Sequence, residues 1–156
     1  MPDLRYEKLA STLVNHATRL SPGERVLIET FDTDESFVAT LIDSVVAAGG
    51  VPFVETRSTR VLRRLYQNAT EEQMITIGEH ERARMEGMNA YIGIRGAVNA
   101  LQMSDVPAEK LALYHKHWWK PVTDRRVNET KWVVLRWPTP SFAQAAGMSI
   151  EGFEDF

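Results

Sequence analysis

Residues 25–56, RVLIETFDTDESFVATLIDSVVAAGGVPFVET, decide the fold. Arg25 to Thr30 place Val26, Leu27 and Ile28 in a row, the run of a strand covered on both faces. Asp32, Thr33 or Asp34 can cap a helix, and Phe37, Val38, Leu41, Ile42, Val45 and Val46 follow at helical spacing before the stop at Gly49-Gly50. Val51 to Thr56 reads as a second strand, with Pro52 placing it near an edge or confining its pairing to the later residues. Strand, capped helix and strand within about thirty residues form a βαβ unit, which calls for parallel strands and a right-handed crossover.

The segments on either side extend the same alternation. Upstream, Tyr6, Leu9, Ala10, Leu13, Val14 and Ala17 recur at three- and four-residue spacing, one apolar stripe of a helix that ends before Ser21-Pro22-Gly23. Downstream, residues 58–87 read as helical: Val61, Leu62, Leu65 and Tyr66 line one amphipathic piece, and Thr70 with Gln73 forms a capping box for the next. Ala90 to Ile94 is a third strand. Asp105, before Pro107, is expected to open a helix that buries Leu111, Leu113, Tyr114, Trp118 and Trp119. Trp132 to Trp137 reads as a buried strand ended by Pro138. Thr139 or Ser141 then caps a helix over Phe142, Ala145 and Ala146 that stops at Gly147. The expected fold is α/β: a mostly parallel sheet of about four or five strands with helices on both faces, a Rossmann-like or flavodoxin-like three-layer arrangement.

Composition narrows the function. The chain has 156 residues, 44% hydrophobic and 25% charged, with a net charge of -3, which gives no basic excess for nucleic acid. Without cysteine there is no disulfide, thiolate nucleophile or cysteine-held metal. No leader or long apolar run points to a membrane, so the expected location is cytoplasmic.

The histidines do not build a metal site at the sequence level. His80 lies in Glu79-His80-Glu81-Arg82-Ala83-Arg84-Met85-Glu86 with no second histidine four residues away, and this charged run reads as a solvated helix face. His115 and His117, two apart on a helix, point to different sides, and His16 reads as a helix-end residue. Arg95, at the carboxyl end of the third strand, is the candidate substrate-binding residue, because ligands of open α/β sheets bind at that end and a guanidinium suits an anionic group. Phe31-Asp32-Thr33 and Arg95-Gly96-Ala97 lack dinucleotide and P-loop spacing, and the acids after the first strand oppose a phosphate.

Three segments together carry a resemblance: KLASTLVNHATRLSPGERVLIET (8–30), NALQMSDVPAEKLALY (99–114) and KWVVLRWPTPSFAQAAGMSIEGFEDF (131–156). They resemble the N-terminal part of metal-dependent aminopeptidases of the aminopeptidase T type. The last segment is the most specific, with Trp132, Pro138, Thr139, Pro140, Ala143, Gln144, Ala146, Gly147 and Met148 fitting the pattern, as do Glu154, Asp155 and Phe156. The resemblance implies a two-domain exopeptidase that removes N-terminal residues from peptides with a pair of divalent ions (zinc, cobalt or manganese), and it allows a homodimer. It also implies that the carboxylate, histidine and tyrosine ligands lie in the second half of such chains, so no catalytic or metal residue carries over to residues 1–156. An iron-dependent dihydroxypyridine-type ring-cleaving dioxygenase shares the resemblance. A stand-alone α/β binding or interaction domain is the reading without it.

Residues 1–147 are therefore expected to form the α/β domain and residues 148–156 to begin a connection to a catalytic domain. Ser149 caps a helix that has Glu151 in its first turn and reaches Phe156 within two turns. Met148, Ile150, Phe153 and Phe156 on that tail are expected to need a partner surface.

Overall fold

The computed structural model describes residues 3–155. Four parallel strands, β1 (Arg25–Phe31), β2 (Val51–Arg57), β3 (Ala90–Arg95) and β4 (Lys131–Arg136), stand in the order β2-β1-β3-β4. The chain first steps outward from β1 to β2, then returns across β1 to β3 and continues to β4. The winding direction therefore reverses between β1 and β3, the switch point of a doubly wound sheet.

One face carries α1 (Leu4–Ser11) and α2 (Glu35–Ala47). Its core joins Leu13, Val14, Phe37 and Leu41 to Val26, Ile28, Ile92 and Ile94 of the central strands. Asp34 caps α2 by accepting from the Ser36 amide at 2.9 Å, and its other oxygen takes the Tyr6 hydroxyl at 2.6 Å. Tyr6 and Phe37 both stack on Trp137, just after β4, which closes this face at the carboxyl end of the sheet.

The other face carries α3 (Thr59–Gln67), α4 (Glu71–Glu86), α5 (Ala108–Tyr114) and α6 (Lys120–Glu129). Leu27 and Tyr91 of the sheet meet Leu62, Tyr66, Met74, Met85 and Trp118 there. Thr70 caps α4 by accepting from the Gln73 amide, the contact expected of its capping box. Beyond β4, Thr139 caps α7 (Pro140–Ala145), Gly147 follows with φ 68°, and the Ser149 hydroxyl accepts the Gly152 amide in α8 (Ile150–Asp155).

Two π-helical segments shift the expected apolar stripes. α1 continues as a π turn over Thr12–Ala17, closed by the Thr18 amide on the Leu13 carbonyl. The extra residue turns Ala17 outward and brings in Thr18, whose hydroxyl is satisfied by the Leu13 and Val14 carbonyls. A second π segment, His115–Trp119, joins α5 to α6 and buries Trp118 while leaving Trp119 43% exposed, against the expectation for Trp119.

Other expectations are corrected as well. Val46 and Val61 lie on the solvent side of their helices, and α7 buries Ala143 instead of Ala145 and Ala146. β4 is an edge strand with Trp132 and Val134 facing outward, so it is half covered and not buried. Asp105 does not open α5; it pairs with Arg63 of α3, and Pro107 takes the cap position. Edge placement of β2, foreseen from Pro52, holds.

Candidate functional site

Register alignment puts the carboxyl ends of the strands level: Phe31 lies beside both Arg57 and Arg95, and Arg95 beside Arg136. Residues level in neighbouring parallel strands share a face, so Arg57, Phe31 and Arg95 look toward the α3–α6 layer together with Glu29, two residues earlier on β1. Glu29 is buried in the central strand, where a carboxylate is tolerated only with cations and donors around it.

Those partners come from two strands and a helix. The Tyr91 hydroxyl donates to Glu29 Oε1 at 2.7 Å, Arg57 Nε to Oε2 at 2.9 Å and Arg95 Nη1 to Oε1 at 3.3 Å. Arg126 of α6 places Nη2 3.6 Å from Oε1. Tyr91 reaches Glu29 by lying along its own strand over Gly93; a Cβ at Gly93 would come within 2.8 Å of the phenol oxygen. Burial raises the Glu29 carboxyl, but the Tyr91 hydrogen bond and the three guanidiniums outweigh it and hold the group below the usual glutamate range. Burial, reinforced by the negative charge of Glu29, pushes the Tyr91 phenol up.

A second tier surrounds this centre. Arg57 Nη2 donates to Glu81 Oε2 at 2.9 Å, and Arg84 bridges Glu81 and Glu55. Glu81 and Arg84 belong to the charged run 79–86, so that run is not simply a solvated face: two of its members turn inward to continue the network begun at Glu29. Burial lowers Arg57, yet Glu29 and Glu81 more than offset it and the guanidinium is raised above its ordinary value.

Beside the network is a cavity of about 210 Å³. Glu29, Arg57, Arg95 and Arg126 form its polar side; Tyr66, Tyr114 and Trp118 form an aromatic wall, with ring centroids 4.2 to 5.8 Å apart. Arg95, the sequence candidate, therefore sits at the carboxyl end of β3 as expected, but its side chain turns down into the cavity. It donates to the Tyr91 oxygen at 2.9 Å and covers the Phe31 ring at 4.5 Å.

The loops above the switch point are closed. The Gly96 amide donates to the Phe31 carbonyl at 2.8 Å, and a Cβ at Gly96 would lie 2.5 Å from that oxygen. Asp32, at φ 47°, accepts from the Thr59 amide and hydroxyl and from the Val98 amide, tying three loops together. That packing occupies the place where a dinucleotide fold would present its phosphate loop.

Glu29 and Arg126 were not foreseen. The signal for Glu29 was an acid inside RVLIET, and for Arg126 a charge continuing the stripe Trp118, Val122 at four-residue steps. The histidines are kept apart: His80 Nδ1 lies 2.9 Å from the Thr76 carbonyl, His117 is 3.2 Å from Glu71, and His16 and His115 are exposed.

Compared with known families, residues 3–156 match the thermophilic metalloprotease family (M29). The chain belongs to that family. Among solved structures it is similar to wild-type AmpT from Thermus thermophilus, with a TM-score of 0.72 at 21% identity over 95% of this chain and 40% of that one. The chain thus spans less than half the length of AmpT, and at this identity the likeness speaks for the fold. CurK enoyl reductase (TM-score 0.37, 15% identity, 97% of this chain and 47% of that one) also aligns. So does an alcohol dehydrogenase superfamily protein from Novosphingobium aromaticivorans (0.39, 12%, 96% and 46%). Both scores are too low to bear on the fold.

M29 membership implies a metal, and the described residues do not fit one. Among them no three His, Asp or Glu side chains converge. The carboxylates of the network, Glu29, Glu55 and Glu81, are interleaved with guanidiniums that bind at least one oxygen of each, the wrong surroundings for a divalent ion.

Proposed function

We propose that this M29 chain acts as the amino-terminal, non-catalytic domain of a metal-dependent aminopeptidase that removes N-terminal residues from peptides, working in the cytoplasm as a homodimer. In this reading residues 1–147 form the domain and 148–156 lead toward a catalytic part that holds zinc, cobalt or manganese. The observation that carries it is a family match over residues 3–156 combined with the absence, among the described residues, of any converging ligand set. A bridging water is activated only where several carboxylate or imidazole ligands meet. Superposition on 40% of AmpT supports the division into domains.

Metal binding tests the reading. Equilibrium dialysis of the chain against zinc, cobalt or manganese should show no stoichiometric, tightly held ion. One or two ions retained per chain and lost on replacing His80 or His117 would contradict it.

A further inference from the structure

We propose that the cavity beside Glu29 binds a small aromatic monocarboxylate, its carboxylate held by Arg126 and Arg95 and its ring set against Tyr66, Tyr114 and Trp118. The inference stands apart from the peptidase reading and rests on the state of Arg126. Its side chain is 8% exposed, its Nε is buried with no hydrogen-bond partner among the described residues, and its closest carboxylate oxygen is 3.6 Å away, beyond hydrogen-bond reach. The Tyr91 ring covers its face at 3.6 Å, which offsets charge but leaves the in-plane Nε–H unsatisfied. Burial accordingly lowers this guanidinium from its ordinary value.

Charge fixes the valence of the ligand. Arg57, Arg84, Arg95 and Arg126 face Glu29, Glu55 and Glu81, and the first three arginines make hydrogen bonds to those carboxylates. One positive charge remains, on the arginine that lacks hydrogen bonds. A single carboxylate completes the balance and matches the planar fork of a guanidinium. A phosphate dianion brings too much charge next to Glu29, and an amino acid's ammonium cancels what its carboxylate supplies.

The opposite wall fixes the rest of the ligand. Tyr66, Tyr114 and Trp118, with Leu27, Met85 and Val122 nearby, offer apolar and aromatic surface. At about 210 Å³ the cavity exceeds the roughly 150 Å³ that accommodates benzene, leaving room for a ring with a short acidic arm.

The test uses the chain itself with phenylacetate, benzyl alcohol, phenethylamine, acetate and inorganic phosphate, read by NMR titration and thermal midpoint. Phenylacetate should bind saturably and at least roughly tenfold more tightly than benzyl alcohol, the span of a charge-assisted hydrogen-bond pair. It should raise the midpoint, and acetate and phosphate should not. Arg126→Met should fold with an unchanged or higher midpoint, since it removes a buried charge that makes no hydrogen bond, and should lose the preference for phenylacetate over benzyl alcohol. Equal binding of the acid and the alcohol by the unaltered chain, or an undiminished preference in folded Arg126→Met, would overturn the proposal. Should that variant not fold, the comparison of acid and alcohol on the unaltered chain decides alone.

Discussion

Glu29 follows the apolar run Val26-Leu27-Ile28 in the buried stretch of β1, and three guanidiniums and a phenol converge on it. Its depressed pKa fixes a sign. The folded carboxyl lies below its ordinary value of 4.5, so the stability it contributes is fully present above that pH and is lost as pH falls toward and through the folded value. Urea unfolding across acidic pH should show stability declining below about pH 4.5, with a shallower decline in Glu29→Gln. At neutral pH, Glu29→Gln should cost roughly 3 kcal/mol or more, because it leaves buried guanidiniums without their counter-charge. Equal acid sensitivity in both proteins would show that Glu29 is not the anchor of the network.

Among the elements, α4 crosses the π segment His115–Trp119 so closely that a Cβ at Gly78 would fall 1.8 Å from the His117 carbonyl oxygen. Both sides of that contact are backbone, so no side chain can yield. Gly78→Ala should therefore destabilise by about 2 kcal/mol or more, and separation of α4 from α6 should uncover Met85. A variant as stable as the parent in chemical denaturation would contradict this crossing. The elements also show what the sequence could carry. The βαβ unit at 25–56, the cap at Thr70 and the edge position of β2 were legible, and Asp34 and Thr139 stood among two or three candidate caps, because each depends on neighbouring residues. The π turns were not, since a regular 3.6-residue period places Ala17 and Trp119 inside, and nothing local announces the extra residue that turns them out. Of the site, the place of Arg95 at a strand end was legible, but not the turn of its side chain onto Glu29 and Tyr91. Glu29, Arg57 and Arg126 were not, because they meet only once β1, β2 and α6 are brought together across long stretches of chain.

At the scale of the whole molecule, the two cores flank the sheet and α8 lies outside both. It rests on α7 and reaches α1 through an exposed pair, Arg5 and Glu154 at 3.6 Å, a contact of small energetic weight. Met148 and Ile150 are exposed and Phe153 is half-buried, while Phe156 lies outside the described residues. Deleting residues 149–156 should cost under about 1–2 kcal/mol, and amides of α8 should exchange faster than those of β1 and β3. A deletion that unfolds the chain would move the domain boundary beyond residue 147.

A division between this M29 folding domain and a separate catalytic part has a direct consequence for turnover. The folded chain, assayed with leucyl, phenylalanyl and arginyl chromogenic amides in zinc, cobalt or manganese, should release nothing above blank. The same chain, joined in place of the part of Thermus thermophilus AmpT on which it superimposes, should give metal-dependent release. Metal-dependent turnover by residues 1–156 alone would show that this chain holds a catalytic site of its own and would overturn the division.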